Sequence, residues 1–384
     1  MTSDSRNEKL SEIITGFGDS TSMHGISRVL ARNHRNNRCY WKNATYCTLL
    51  LSCIAVAVWS IWTLVEDYLT YPVNTDVSLT YEKSGLFPSV TFCNYNRNVL
   101  GKTNPRWIQT QPTEESDKGH LYYNMVKYCT LSNSSTDEDC RDRNLFFWHY
   151  DRQYGNCFTF NHDYFYNGTK RTPTIIRSPT VLYLTLNIEG DRYSGRQNSR
   201  GSVFVIHPLG QHPFPKEGNI GTPPGFNMNV KVSKQRTEHQ PHPYSKCVVV
   251  SQEMNEALSF YADFWSYSQA ACLDTCRQVE RVKLVGCCMP PLPCNPLNRS
   301  EIFGVKLHHN LTYCDPDVYV QGSTENSLLN KYGDLPEGCK QLCPRPCEEF
   351  EYDYVSTLRE FPSEGSTFEK KYFKKFKDGL RLPR

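Results

Sequence analysis

From Thr45 to Val65 the chain reads TYCTLLLSCIAVAVWSIWTLV, 21 residues without a charged side chain. A helix of that length rises about 1.5 Å per residue, enough to cross a hydrocarbon core of about 30 Å, and it exceeds the usual buried helix of a soluble domain. Arg28, Arg32, Arg35, Arg38 and Lys42 precede the run, and Glu66 and Asp67 follow it. Basic flanks stay in the cytoplasm, so residues 1–44 are expected inside, 45–65 across the membrane and 66–384 outside. With 44 residues ahead of it, the run lies too far from the start for a cleaved signal peptide. Trp59 and Trp62 suit the outer interfacial belt.

Composition narrows the remaining classes. The 384 residues carry 43 Lys+Arg and 40 Asp+Glu, so no broad basic field exists for nucleic acid. At 38% hydrophobic and 13% aromatic the chain can build a substantial core. A mean hydropathy of −0.59 excludes a protein with many spans and leaves room for one.

The cysteines test the topology independently. Cys39, Cys47 and Cys53 lie before or within the span, and the other fourteen of the seventeen lie beyond it. An even set in an oxidising compartment predicts seven disulfides. The sequons at Asn133, Asn167, Asn298 and Asn310 fall on the same side, as N-glycosylation requires, whereas Asn43-Ala-Thr lies on the inner flank and is expected unmodified. Cys272 and Cys276 are four apart, as are Cys339 and Cys343, so each pair shares a helix face. If the two helices run antiparallel, Cys272 meets Cys343 and Cys276 meets Cys339. Cys347 follows Pro344 and Pro346, which end a helix and free it to pair elsewhere. The adjacent Cys287 and Cys288 each pair more readily with Cys294 or Cys314 than with one another. Zinc held by cysteines with His308 and His309 is disfavoured, because thiolates oxidise outside the cell.

DVSLTYEKSGLFPSVTFCNYN (76–96) alternates apolar and polar residues, with Pro88 restricting its strand to an edge or a start. VLYLTLNI, GSVFVIHP and KCVVVS predict further strands, and residues 121–151 and 254–284 read as helical. FEKKYFKKFK (368–377) has the stripe of an amphipathic helix. No GxSxG, HExxH or phosphate-binding glycine loop occurs. The histidines at 207, 212, 239, 242, 308 and 309 stand among prolines and polar residues and read as solvated loop residues. A non-enzymatic membrane protein is therefore expected, with a single-pass type II ectoenzyme as the alternative class.

Motifs in a fixed order now carry a resemblance. SMHGIS (22–27), YPVNTDVSLTYEKSGLFPSVTFCNYN (71–96), YGNCFTFN (154–161), LYLTLNIEGDRYSG (182–195) and VFVIHPLGQHPFPKEG (203–218) are followed by TPPGFNMNVKVSKQ (222–235). YSQAACLDTC (267–276), CKQLCPRPCEEFEY (339–352) and STLREFPS (356–363) complete the series. From about Thr21 to about Phe376 the chain resembles the epithelial sodium channel/degenerin (DEG/ENaC) superfamily, which includes acid-sensing and neuropeptide-gated channels.

The resemblance implies an α+β membrane protein with one N-terminal transmembrane helix and a disulfide-rich extracellular domain, built as a β palm and β-ball with helical finger, thumb and knuckle. It implies the pairs Cys93–Cys157, Cys129–Cys140, Cys247–Cys347, Cys272–Cys343, Cys276–Cys339, Cys287–Cys314 and Cys288–Cys294. It gives His24 and Gly25 a gating role, for which glycine supplies backbone freedom and the imidazole a hydrogen-bonding group. No cofactor is implied; sodium is the permeant ion of an amiloride-sensitive-type channel at the plasma membrane. The implied partners are the membrane, related subunits in a homo- or hetero-trimer, and a peptide or other extracellular ligand unless opening is constitutive. Acid-sensing relatives carry a His pair after the first span, whereas Tyr71-Pro72-Val73-Asn74 has none, so proton gating is not expected. Relatives also carry a pore-lining second helix. The chain is expected to lack it and not to conduct alone, acting instead as a non-conducting isoform that regulates full-length subunits, with retention in the endoplasmic reticulum.

Overall fold

The computed structural model describes residues 12–14, 16, 17, 20, 37–81, 84–99, 118–133, 136–164, 170–172, 174–177, 179–193, 199–215, 219–289, 292–294, 300–307, 311–314 and 337–362. The chain divides into two units, Met1–Val77 and Ser78–Arg384.

In the first unit, α1 (Asn37–Leu69) is a 33-residue helix. Its stretch Ala44–Leu69 is long and apolar enough to cross a membrane, and the run 45–65 lies within it. Every side chain from Leu51 to Thr70 is exposed, a surface suited to lipid or to other membrane helices. The hydroxyls of Thr48, Ser52, Ser60 and Thr63 bond to carbonyls three or four residues back, which hides their polarity from an apolar surround. The helix stops because Tyr71 takes a left-handed conformation (φ 50°) and Pro72 follows.

The second unit forms, in order, β1 (Ser84–Leu86), β2 (Ser89–Asn94), α2 (Tyr122–Met125), β3 (Val126–Asn133), β4 (Asp137–Asp139), β5 (Phe146–Asp151), β6 (Gly155–Phe160), β7 (Ile175–Arg177), β8 (Thr180–Leu186), β9 (Ser202–His207), β10 (Ile220–Thr222) and β11 (Phe226–Glu238). There follow α3 (Gln252–Leu258), α4 (Gln269–Val285), β12 (Glu301–Ile302), β13 (Val305–Lys306), α5 (Glu337–Leu342) and β14 (Glu348–Glu360).

A five-stranded antiparallel sheet, ordered β10-β9-β2-β6-β5, organises this unit. Its middle strand β2 starts just after Pro88, where the missing N–H costs the ladder nothing. Strand periodicity sends alternate residues to opposite faces. One face carries Phe92, Phe146, Phe158 and Phe160, which pack with Tyr122 and Met125 into the main core. The other carries Thr91, Cys93, Phe147, Cys157, Thr159 and His207, and it too is buried. Cys93 and Cys157 are direct cross-strand partners, and their Cα atoms are 4.5 Å apart, the short spacing of a non-hydrogen-bonded pair.

A second sheet, β4-β3-β8, occupies much of the region expected to be helical. Among the described residues of 121–151, helix is limited to α2, a single turn, and a three-residue 3-10 turn at Arg143–Leu145. Val126, Tyr128 and Thr130 suit a pleated surface, β3 pairs with β8 from Val126↔Leu186 to Asn133↔Thr180, and Cys129–Cys140 pins β3 to the end of β4. The expected helix over 254–284 is two helices. Ser251 caps α3 and Ser268 caps α4, each accepting from a backbone N–H three residues on, so the chain leaves helical geometry between them. α4 ends at Gly286, whose φ of 75° fits the left-handed cap. VLYLTLNI and GSVFVIHP form β8 and β9, but KCVVVS is no strand: Val248 makes one parallel bridge to Pro346, and Pro344 and Pro346 lack the N–H groups that a ladder needs. The last pairing is a two-stranded ribbon in which β11 and β14 match residue for residue from Phe226↔Glu360 to Glu238↔Glu348.

Seven disulfides close this unit: Cys93–Cys157, Cys129–Cys140, Cys247–Cys347, Cys272–Cys343, Cys276–Cys339, Cys287–Cys314 and Cys288–Cys294. They coincide with the pairs that the resemblance implies. Two of them form rungs between α4 and the antiparallel α5 segment, spanning 71 and 63 residues. Tyr267 Oη donates to the Pro344 carbonyl and Gln269 Nε2 to that of Cys343, which sets the register.

While one rung remains, the long loop stays closed. Replacing either pair by serines should therefore cost about 2–3 kcal/mol, and replacing both should exceed the sum of the two by about 2 kcal/mol. Urea unfolding of the two double variants and the quadruple variant measures this; strictly additive costs would contradict the ladder.

Candidate functional site

The residues singled out in the sequence fall in different places. His24, Gly25, Asn167, Asn298 and Asn310, with His308 and His309, lie outside the described residues. Asn133 ends β3 at the surface, where its Nδ2 donates to Thr136 Oγ1 (3.0 Å) and its Oδ1 accepts from Thr136 N–H (2.9 Å). The fourteen cysteines beyond the span are all paired.

His207 and His212 are not solvated loop residues. With His149 and His162 they surround Trp265, at ring-centroid distances of 6.4 Å for His207, 5.1 Å for His212, 5.3 Å for His149 and 4.5 Å for His162. Strand alternation explains two of these positions. His149 follows Phe147 by two residues on β5, and His207 ends β9, so both side chains leave the sheet on the face opposite the phenylalanine core. His162, just beyond β6, stacks on Phe147 at 4.1 Å and 14°. His212, in the loop after β9, packs against Phe214 (4.5 Å) and Tyr261 (4.4 Å). His149, His162 and His207 are buried residues, and His212 is partly buried.

Trp265 reaches the sheet from the 259–268 segment between α3 and α4. Buried Asn255 on α3 holds that segment by donating to the Trp265 carbonyl (2.8 Å). Ser266 N–H donates to the Gly210 carbonyl (2.7 Å), which ties the segment to the loop that carries His212. Phe147 meets the indole edge-on at 5.5 Å and 89°, a favoured aromatic geometry.

The hydrogen bonds assign the tautomers. His207 Nδ1 lies 3.1 Å from the Pro208 carbonyl, which only accepts, so Nδ1 carries the proton and Nε2 accepts from Thr91 Oγ1 at 2.8 Å. Thr91 in turn accepts from Thr159 Oγ1 at 2.7 Å. His162 Nδ1 accepts from the Tyr164 N–H, so its proton sits on Nε2, which is buried without a hydrogen bond. His149 has neither ring nitrogen hydrogen-bonded. Burial, reinforced by the neighbouring imidazoles, pulls His149 and His162 down to about 3 and His212 well below its ordinary value. Burial alone lowers His207 to about 4, against the opposing pull of its backbone hydrogen bonds. All four are neutral at physiological pH. The rings surround an indole rather than converging on a point, and no cluster of three metal-binding side chains occurs among the described residues.

A second buried polar group lies elsewhere in this unit. His120 Nδ1 donates to Glu189 Oε2 and Arg192 donates to Glu189 Oε1, both at 2.8 Å. Burial nevertheless lowers the His120 pKa. A shallow, open depression of about 570 Å³ is lined by Tyr122, Tyr123, Val126, Lys127, Asp139, Arg141 and Asp142. Its Arg141 already holds Asp139 in a two-pronged contact.

The family model described as amiloride-sensitive sodium channel matches residues 17–109 and 103–381. The human bile acid-sensitive ion channel is 25% identical over 394 residues, covering 91% of this chain and 70% of that protein. The epithelial sodium channel subunit beta of Xenopus laevis is 31% identical over 234 residues, 60% of this chain and 33% of that protein. Acid-sensing ion channel 4-B of Danio rerio is 24% identical over 391 residues, covering 92% and 62%.

The orphaned nitrogens make His149 an unfavourable residue at its own position. His149→Leu, close in volume, should leave stability at pH 7.5 unchanged or raise it by about 1 kcal/mol, because it removes two unsatisfied polar atoms. His207→Leu strands the Thr91 hydroxyl and should cost about 1–3 kcal/mol. Thermal denaturation compares the two; equal losses would contradict the hydrogen-bond assignment.

Proposed function

The chain belongs to the amiloride-sensitive sodium channel family, and on that premise we propose that it is one of three subunits around a sodium-conducting, amiloride-blockable pore in the plasma membrane. The family and the relatives are ion channels, which removes the ectoenzyme alternative. The observation that carries the proposal is the pairing, in one chain, of an apolar helix exposed from Leu51 onward with a β-rich unit closed by seven disulfides.

The chemistry of α1 gives it a supporting role in conduction. An ion path needs polar groups facing water, but the hydroxyls of Thr48, Ser52, Ser60 and Thr63 are turned onto their own helix. The lining of the path therefore comes from membrane helices other than α1, while α1 anchors the subunit and packs at its periphery. Basic residues before α1 and acidic ones after it support a cytoplasmic N-terminus, and disulfides persist on the oxidising side. Gating through His24 and Gly25 and opening by a peptide or other extracellular ligand belong to the same proposal. Sodium is the permeating ion, and no cofactor takes part.

Expression in cells without endogenous relatives, alone and with a pore-competent family member, tests the proposal. Stepwise photobleaching of the tagged chain should count assemblies of three subunits, including any co-expressed partner. The chain should generate or measurably alter an amiloride-blockable sodium current. Monomers at the cell surface together with an unchanged current would overturn the proposal.

A further inference from the structure

We propose that the four histidines around Trp265 form a proton-released latch, which holds the 259–268 segment on the five-stranded sheet at neutral pH and releases it in acid. The contact is built almost wholly from uncharged rings. Phe147, His149, His162 and His207 come from the sheet and the residues beside it, His212 comes from the following loop, and Tyr261, Phe264 and Trp265 come from the docked segment. Such a contact tolerates imidazole only in its neutral form, because a charge buried without a partner costs several kcal/mol.

The surrounding groups offer a protonated ring little help. Tyr164 and Tyr261 face the cluster with their aromatic rings. The carboxylates on neighbouring residues are Asp163 and Asp263. Burial, opposed by Lys170, holds the Asp163 carboxyl above its usual range, so in acid it tends to lose the charge that would neutralise an imidazolium. Among the described residues, the only charges acting on His149 and His212 are those of other histidines in the cluster, which repel. His207 already has both nitrogens engaged, and His149 has no acceptor for an added proton.

The sign follows from linkage. Each histidine is lowered in the docked state relative to the ordinary value near 6.5, so the docked state is fully favoured above that pH and loses its advantage as pH falls through the window towards 4 and 3. Every proton gained on release raises the release constant tenfold per pH unit within the window, so several histidines acting together give a steep response.

Hydrogen exchange of the full chain in lipid nanodiscs, corrected for the intrinsic pH dependence of exchange, reads the latch directly. Between pH 7.4 and 4.5, protection of peptides covering 208–215 and 259–268 should fall at least tenfold more than that of β3, β8 and α4, and should return on neutralisation. The combined variant His149→Leu, His162→Gln, His212→Gln should keep its protection in acid. If that variant fails to fold at neutral pH, His149→Leu alone should lower the slope of log release against pH by one. Uniform loss of protection across the second unit, no loss down to pH 4.5, or a variant response equal to the wild type would each overturn the latch. The readout does not involve conduction, so its failure is distinct from failure of the channel proposal.

Discussion

A five-stranded sheet covered on both faces leaves its middle strand no route to water, and that constraint governs the chemistry of the extracellular-type unit. Every residue of β2 must be apolar, sulfur-bridged or internally hydrogen-bonded. Val90 and Phe92 meet the first condition and Cys93 the second, while Ser89, Thr91 and Asn94 meet the third through Asn161, Thr159, His207 and Ile188. The same enclosure removes hydration from the imidazoles beside it, which is why the histidines here behave as aromatic rings with occasional hydrogen bonds rather than as surface bases.

The disulfides are distributed according to what noncovalent packing leaves undone. The core around Phe92, Phe146 and Phe158 already fixes the sheet, and only Cys93–Cys157 crosses it. The described residues between Cys287 and Cys314 form only two two-residue strands, and there two bonds stand close together beside a small core of Phe260, Ile302 and Tyr313. α5 has six residues, too few to hold position by its own helical stability, and it is docked through two rungs to α4.

Much of this could be read from the residues, and the failures have physical causes. Spacing alone put Cys272 and Cys276 on one helix face and led to a conditional ladder, because a helix repeats every 3.6 residues. The adjacent Cys287 and Cys288 carry no such periodicity, and their partners were implied only by resemblance. Residues 121–151 misled because their apolar spacing fits a helix about as well as a strand, and the partner that decides, β8, lies some fifty residues downstream. His149 was legible in principle, two residues after Phe147 in FFWHYD, where strand alternation points it inward. His207 and His212 were masked by the prolines around them, which signal a loop but say nothing of whether another segment covers it. Trp265, the residue that does so, stands in a stretch whose helical pattern gave no hint of the break.

The β11–β14 ribbon has a mechanical meaning. Thirteen paired residues at about 3.3–3.4 Å each make a rod of roughly 43 Å, yet among the described residues it is only two strands wide and most of its side chains are exposed. A ribbon so narrow resists stretching, since its ladder bonds lie across the rod and its covalent backbone lies along it, but it yields readily to torsion. At the Glu238↔Glu348 end, the His239 N–H bonds to the Cys347 carbonyl and Cys247–Cys347 closes the loop, so that end is clamped. The other end follows β10 by three residues, with Thr222 Oγ1 hydrogen-bonded to Met228 Sδ and β14 touching β9, so the ribbon is held at both ends and carries twist between them with little change in its length.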